Sequence, residues 1–251
     1  AIDNASDGDT IILGDGVYKE HVNVYKRITI KSENGPENCI ILGSISVTAD
    51  YVKVKGLTIT GRSGSGIVLI SASNCVISNN NCSYNSNGIL LFNSNYNIIT
   101  NNTFNGNYAY GRRGICYGIY PCGFGIFLKN SSYNVISNNT CSRNHASGIY
   151  IEYSKNNKVY NNIVTNNKGG GIVLVNAYNT IISNNNCSKN KGRGISSWNN
   201  PNKIANNKII NNYCSKNKGF GIAIGGDGNR ISNNTCFYNK GDGIRAVSYT
   251  H

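Results

Sequence analysis

The side chains able to carry out chemistry are unevenly spread over the 251 residues. Eight of the eleven carboxylates (Asp3, Asp7, Asp9, Asp15, Glu20, Glu33, Glu37 and Asp50) fall in the first fifty positions, and only Glu152, Asp227 and Asp242 follow. Asp227 and Asp242 each stand in a Gly-Asp-Gly turn, where an aspartate serves its own backbone. Glu152 has no acidic neighbour at the same place in the units before and after it. A glycosidase needs two carboxylates about 5 to 9.5 Å apart. Proton removal beside a sugar carboxylate needs a base, with acidic groups or Ca²⁺ to neutralise the substrate. Neither set is legible, so no catalytic residue is assigned and the chain is expected not to be an enzyme. Met is absent and His21, His145 and His251 lie far apart, so neither a metal nor a cofactor is expected.

Two groups of residues suit contact rather than catalysis. The stretch from Gly106 to Phe124 places Tyr108, Tyr110, Arg112, Arg113, Tyr117 and Tyr120 close together. Tyr and Arg anchor interfaces, and Tyr also stacks on sugars. The second group is Lys168, Lys191, Lys218 and Lys240, each directly after an asparagine of the repeat described below. Stacked like charges repel, so this column implies a counter-charge from a partner. Cys116 and Cys122 bracket five residues within the same stretch and are the disulfide candidates. N-glycosylation sequons occur at Asn4, Asn81, Asn101, Asn130, Asn138, Asn186 and Asn233. Asn130 and Asn4 are the preferred acceptors, with Asn81 and Asn186 also open, because Asn101, Asn138 and Asn233 read as buried ladder positions.

What must position these residues is a repeat. Gly-Ile pairs begin at Gly66, Gly88, Gly125, Gly148, Gly171, Gly194, Gly221 and Gly243, with spacings of 22, 37, 23, 23, 23, 27 and 22 residues. A period in the twenties signals a solenoid. Within each unit an aliphatic recurs (Ile77, Ile99, Ile136, Val159, Ile182, Ile204, Ile231), followed two residues later by an asparagine (Asn79, Asn101, Asn138, Asn161, Asn184, Asn206, Asn233). A small or apolar residue then stands at Cys82, Phe104, Cys141, Val164, Cys187, Cys214 and Cys236, and a second asparagine at Asn85, Asn107, Asn144, Asn167, Asn190, Asn217 and Asn239.

The Gly-Ile-x-Leu phrases, such as Ile172 with Leu174, alternate with period two, so each reads as a short strand with one face inward. Runs this short between Asn and Gly do not hold a helix. Parallel strands need crossovers, and a coil of about 22 residues has room for two or three strands joined by tight corners. Both sets of asparagines read as ladders: Asn tolerates a left-handed corner, and its amide can reach the one a coil away, about 4.8 Å. The recurring cysteines read as small apolar filler. Earlier in the chain, strand pairs are read at Ile28 and Ile30, Ile40 and Leu42, Val52 and Val54, and Leu57 and Ile59. Ala1 to Ser6 reads as the end of a cap.

The phrases GIFLKNSSYNVISNN and GIYIEYSKNNKVYNN resemble the parallel β-helix repeat of the NosD-like, pectin-lyase-like superfamily. The opening DGDTIILGDGVYKEHVNVYKRITIKSENG is similar to the start of that module in surface proteins of methanogenic archaea. The resemblance covers essentially the whole chain. It implies a right-handed β-helix and an extracellular setting, on a scaffold that serves lyases, hydrolases, epimerases, adhesins and envelope proteins alike. Copper handling, which the family label suggests, lacks the Met and His ligands it would need.

The expectation is therefore an all-β, right-handed parallel β-helix of about ten coils of 22–23 residues. Residues 1–251 form one domain, with 1–65 as N-terminal cap and irregular coils and 66–251 as regular repeats carrying the insertion 106–124. No apolar run of eighteen residues exists, so no transmembrane segment is expected. The chain opens without Met or a signal-like start and stops one strand into a new coil, so a segment of something longer is expected. Four of the 24 basic residues lie in the acidic first fifty, so the net charge of +13 divides into about −4 over residues 1–50 and about +17 over residues 51–251. Lysine alone, without a recognised motif, makes a poor nucleic-acid site.

An acidic front, a basic rear and open coil edges favour head-to-tail assembly into a homo-oligomer or polymer. The preferred reading is a non-catalytic structural protein of an archaeal cell envelope, in a surface layer or sheath. The alternative is a module that binds or modifies an acidic polysaccharide through the Tyr/Arg stretch and the lysine column.

Overall fold

The computed structural model describes residues 1–61, 64–108, 123–200 and 203–246, together with the backbone of 115–116, 120–121 and 247. After a short 3₁₀ turn at Ile2–Asn4, the described chain is strand and corner throughout. It winds as a parallel β-helix with three faces. Sheet A and sheet C each contain ten parallel strands, and sheet B contains a three-stranded and a six-stranded stretch, joined by bridges from Thr58 to Asn81 and from Asn81 to Thr103. One coil shows the plan: Val135–Ser137 lies in sheet A, Thr140–Ser142 in sheet B and Ile149–Glu152 in sheet C.

Equivalent residues lie in register from coil to coil. Ile126 pairs with Ile149 and Ile149 with Ile172, while Leu128, Ile151 and Leu174 form the matching row. These rows are fully buried and merge into one continuous core. A thin core of this kind is stabilised by contacts between adjacent coils, because each unit buries its apolar edge only against its neighbours. The sulfur position behaves as the sequence implies: Phe104 pairs with Cys141, Cys141 with Val164 and Val164 with Cys187, all of them buried. The repeated glycine has a steric cause. A Cβ on Gly171 would stand 2.4 Å from the carbonyl oxygen of Gly194 in the next coil, and one on Gly125 would stand 2.6 Å from that of Gly148.

The asparagines divide differently from the sequence reading. Asn101, Asn138, Asn161 and Asn184 take φ of 56 to 57° and stay at the surface as the corner residues. The buried ladder is formed by the residue after each: Asn80, Asn102, Asn139, Asn162, Asn185 and Asn212. In the middle of that ladder the backbone N–H of Asn139 donates to Oδ1 of Asn162 at 2.9 Å, and Nδ2 of Asn139 donates to the same oxygen at 3.1 Å. The second predicted ladder is as expected, with Asn144, Asn167 and Asn190 buried and bonded in sequence. A third, unforeseen ladder turns the corner from sheet C into sheet A, where the N–H of Asn97 donates to Asn134 and that of Asn134 to Asn157. Among the described residues no buried side-chain nitrogen or oxygen lacks a partner.

Two placements are corrected. The insertion between Gly194 and Gly221 lies before the sheet A strand, so Ile209 and not Ile204 pairs with Ile182, and Ile204 stands 66% exposed at the surface. Asn211, with φ of 57°, and not Asn206, therefore takes the corner after this strand. In the strand Cys39–Leu42 it is Cys39 and Ile41 that point inward, while Ile40 is half-buried and Leu42 is exposed.

Candidate functional site

The turn from sheet B into sheet C puts one outward residue directly after each second-ladder asparagine. The backbone N–H of that residue donates to the carbonyl of the ladder asparagine one coil back. Tyr108 bonds Asn85 in this way, His145 bonds Asn107, Lys168 bonds Asn144, Lys191 bonds Asn167, Lys218 bonds Asn190 and Lys240 bonds Asn217, at 2.7 to 2.9 Å. Tyr108, His145 and the four lysines are thus one straight column over six consecutive coils, stepping about 4.8 Å each time. All four lysines are exposed.

At the head of the column the side chains touch. The rings of Tyr108 and His145 lie 4.3 Å apart at 44°, and Nζ of Lys168 lies 5.7 Å from the Tyr108 ring centroid. Partial burial and then the Lys168 charge push the His145 imidazole below its ordinary pKa of 6.5. A neutral imidazole at neutral pH can accept a proton. A phenol beside it can donate one, and the ammonium group next in line can hold an anion.

Beside the column runs the outer face of sheet C. Leu90, Phe127, Tyr150 and Val173 are in register at its outward position. Phe124 stacks on Tyr150 at 4.8 Å and lies 5.3 Å from Phe127, which makes a small apolar cluster outside the main core. Burial pushes the Tyr150 phenol up to about 12, so it remains a donor. Glu152 on the same face is engaged by Lys129 at 3.6 Å. Further along the rod the face carries Arg193, Trp198, Phe220 and Arg245.

Of the remaining residues marked in the sequence, Tyr110, Arg112, Arg113, Tyr117 and Cys122 lie outside the described residues, as do the side chains of Tyr120 and Cys116. Asn130 and Asn4 are exposed. Asn101, Asn138 and Asn233 are exposed too, because they are corner and not ladder residues, so burial does not remove them as acceptors. Cys39, Cys75, Cys82, Cys141, Cys187, Cys214 and Cys236 are free thiols. Sequence reasoning discounted His145 as an isolated histidine. The available signal was its place: it follows Asn144 just as each lysine follows its own asparagine.

The class of protein is set by these observations: a parallel β-helix presenting an axial row of a tyrosine, a histidine and four lysines. Residues 38–209 match the family model described as right handed beta helix region, and the chain belongs to that family. No curated protein matches the sequence. Among solved structures, one titled pectate lyase Pel9A is similar over 95% of this chain and 72% of its own, with a TM-score of 0.71 and 18% identity. Geobacillus virus E2 ORF18 is similar over 98% of this chain and 54% of its own, with a TM-score of 0.69 and 14% identity. The A-module of the mannuronan C-5 epimerase AlgE4 from Azotobacter vinelandii is similar over 97% of this chain and 91% of its own, with a TM-score of 0.53 and 12% identity.

At these identities the likeness is one of fold. It still overturns the expectation that the chain is not an enzyme, since structures titled as a lyase and an epimerase share this architecture. That expectation rested on a search for carboxylate clusters, whereas the fold assembles a tyrosine, a histidine and a lysine that lie far apart in sequence.

Proposed function

We propose that this β-helix binds and modifies an acidic polysaccharide outside the cytoplasm, by proton transfer at the carbon next to a sugar carboxylate. The observation that carries the reading is the single column in which Tyr108 and His145 precede four lysines. A polyanionic chain laid along the rod meets one cation per coil, and the column delivers one of its sugars to the acid–base pair. Lys168 neutralises the carboxylate and thereby lowers the cost of a carbanion beside it. Neutral His145 removes the α-proton, and Tyr108, on the same side of the sugar, supplies a proton to the departing glycosidic oxygen, which gives elimination. Among the described residues no helix is long and apolar enough to cross a membrane. The envelope-building role suggested by the charge asymmetry draws no support from the similar structures described above.

The test is to incubate the protein with polygalacturonate and with alginate in D₂O. Expected are deuterium at the carbon next to the carboxylate, or the ultraviolet absorbance of an unsaturated product. His145→Gln should lower the rate by at least about 10²-fold while leaving binding intact. Full activity in His145→Gln, or no exchange on any uronate polymer that binds, overturns the reading.

A further inference from the structure

Beyond the column, the outer face of sheet C holds a hollow of about 250 Å³ that the proposed chemistry does not use. Its origin is a change of residue size along one register. The outward row that carries Phe127, Tyr150 and Val173 continues as Ser196, Ala223 and Arg245. In the next outward row, Trp198 is followed by Gly225. Ala223 and Gly225 leave the sheet bare, and Trp198, Phe220, Arg193 and Arg245 stand around the gap. A second hollow of about 400 Å³ adjoins it across Arg193, Trp198 and Phe220, so the two form one groove along the rod.

The walls carry charge without an anion. The Arg193 guanidinium lies 4.4 Å from the Trp198 ring and 5.4 Å from the Phe220 ring, and the Arg245 guanidinium lies 5.3 Å from the Phe220 ring. Ring faces attract cations but do not neutralise them. The only ion pair among the described residues is between Lys129 and Glu152. Asp242, which follows Phe220 by one coil in the same row, pairs with neither guanidinium. Burial and the Arg245 charge both push the Arg193 pKa down, the direction expected for a cation kept near another without a counter-ion. Trp198, the single tryptophan of the chain, is 48% exposed beside them.

We infer that this hollow is a binding subsite for one sugar ring carrying an anionic substituent, its ring face on Trp198 and its anion between Arg193 and Arg245. A planar apolar wall suits the C–H face of a pyranose, and guanidinium groups pair with carboxylate or sulfate through two parallel hydrogen bonds. The inference rests on the polysaccharide reading and adds to it the place where charge is recognised. Arg193 follows Lys191 by two residues in the chain, so the subsite borders the lysine column two coils past His145.

Trp198 reports occupancy directly through its fluorescence. The protein is titrated with oligogalacturonate, with its fully methyl-esterified form and with a sulfated oligosaccharide of equal length, while heat of binding is recorded in parallel. A saturable emission change is expected with one or both anionic probes and not with the ester; which of the two binds distinguishes carboxylate from sulfate. Arg245→Gln, at an exposed position, should weaken that binding about tenfold. Equal emission changes with ester and acid, or an Arg245→Gln protein that binds as tightly as the parent, overturns the inference. Heat of binding with silent Trp198 emission also overturns it while the polysaccharide reading stands. Emission changes without uronate turnover support the subsite and refute the catalytic reading alone.

Discussion

Adjacent asparagines Asn161 and Asn162 provide the sharpest test of how the coils are held. Through its side chain and its own N–H, Asn162 takes part in six hydrogen bonds. It accepts from the N–H and Nδ2 of Asn139, and its own N–H donates to Asn185. Its Nδ2 donates to the carbonyls of Ile136 and Tyr160 and to Oδ1 of Asn185. Asn162→Ala removes the acceptor of the buried Asn139 N–H and the donor to the Ile136 carbonyl. Two buried backbone groups left without these partners cost about 1 to 3 kcal/mol each, so a loss of about 2 to 6 kcal/mol is expected. That is a large share of the ~5 to 15 kcal/mol that holds an ordinary domain together. Asn161, one residue earlier, is exposed with φ of 57°. Asn161→Ala is expected to cost about 1 to 2 kcal/mol through the left-handed backbone, and Asn161→Gly close to nothing. Urea unfolding followed by circular dichroism measures all three. If Asn161→Ala were as damaging as Asn162→Ala, or if Asn162→Ala were silent, the ladder would not be the main polar support of the coils.

Other outcomes concern the column and the coil contacts. Because the His145 pKa lies below 6.5, the unprotonated form persists into mildly acidic solution, and the acidic limb of kcat/KM should fall below pH 6.5. Lys168→Gln removes the second cause of that depression while burial remains, so the limb should move to higher pH, and added salt should shift the parent protein the same way. A limb that stays fixed in Lys168→Gln would separate the lysine from the histidine. Gly171→Ala puts a Cβ 2.4 Å from the Gly194 carbonyl oxygen. Overpacking against backbone should lower stability by about 1 to 3 kcal/mol or more, read as an earlier urea midpoint; an unchanged midpoint would show that the coils can move apart freely.

The sequence determined the repeat. Gly-Ile pairs, alternating Ile-x-Leu, the inward sulfur row and the Asn144–Asn167–Asn190 ladder are legible because in-register stacking repeats each requirement once per coil. The lysine column was legible on the same ground. Register within the corners was not: consecutive asparagines carry the same side chain, and only the backbone decides that Asn138 turns the corner while Asn139 enters the core. The insertion after Gly194 shows the same ambiguity, since Ile204 and Ile209 are equally apolar and only pairing with Ile182 selects the second.

The tertiary structure alone decided which chemistry meets. Tyr108, His145 and Lys168 are separated by 37 and 23 residues, and Arg193 and Arg245 by 52. In a solenoid, sequence distance becomes height along the rod, so residues one period apart touch whatever their types. The winding of the chain, not any short motif, is what brings the rings of Tyr108 and His145 to 4.3 Å and Nζ of Lys168 to 5.7 Å from the Tyr108 ring.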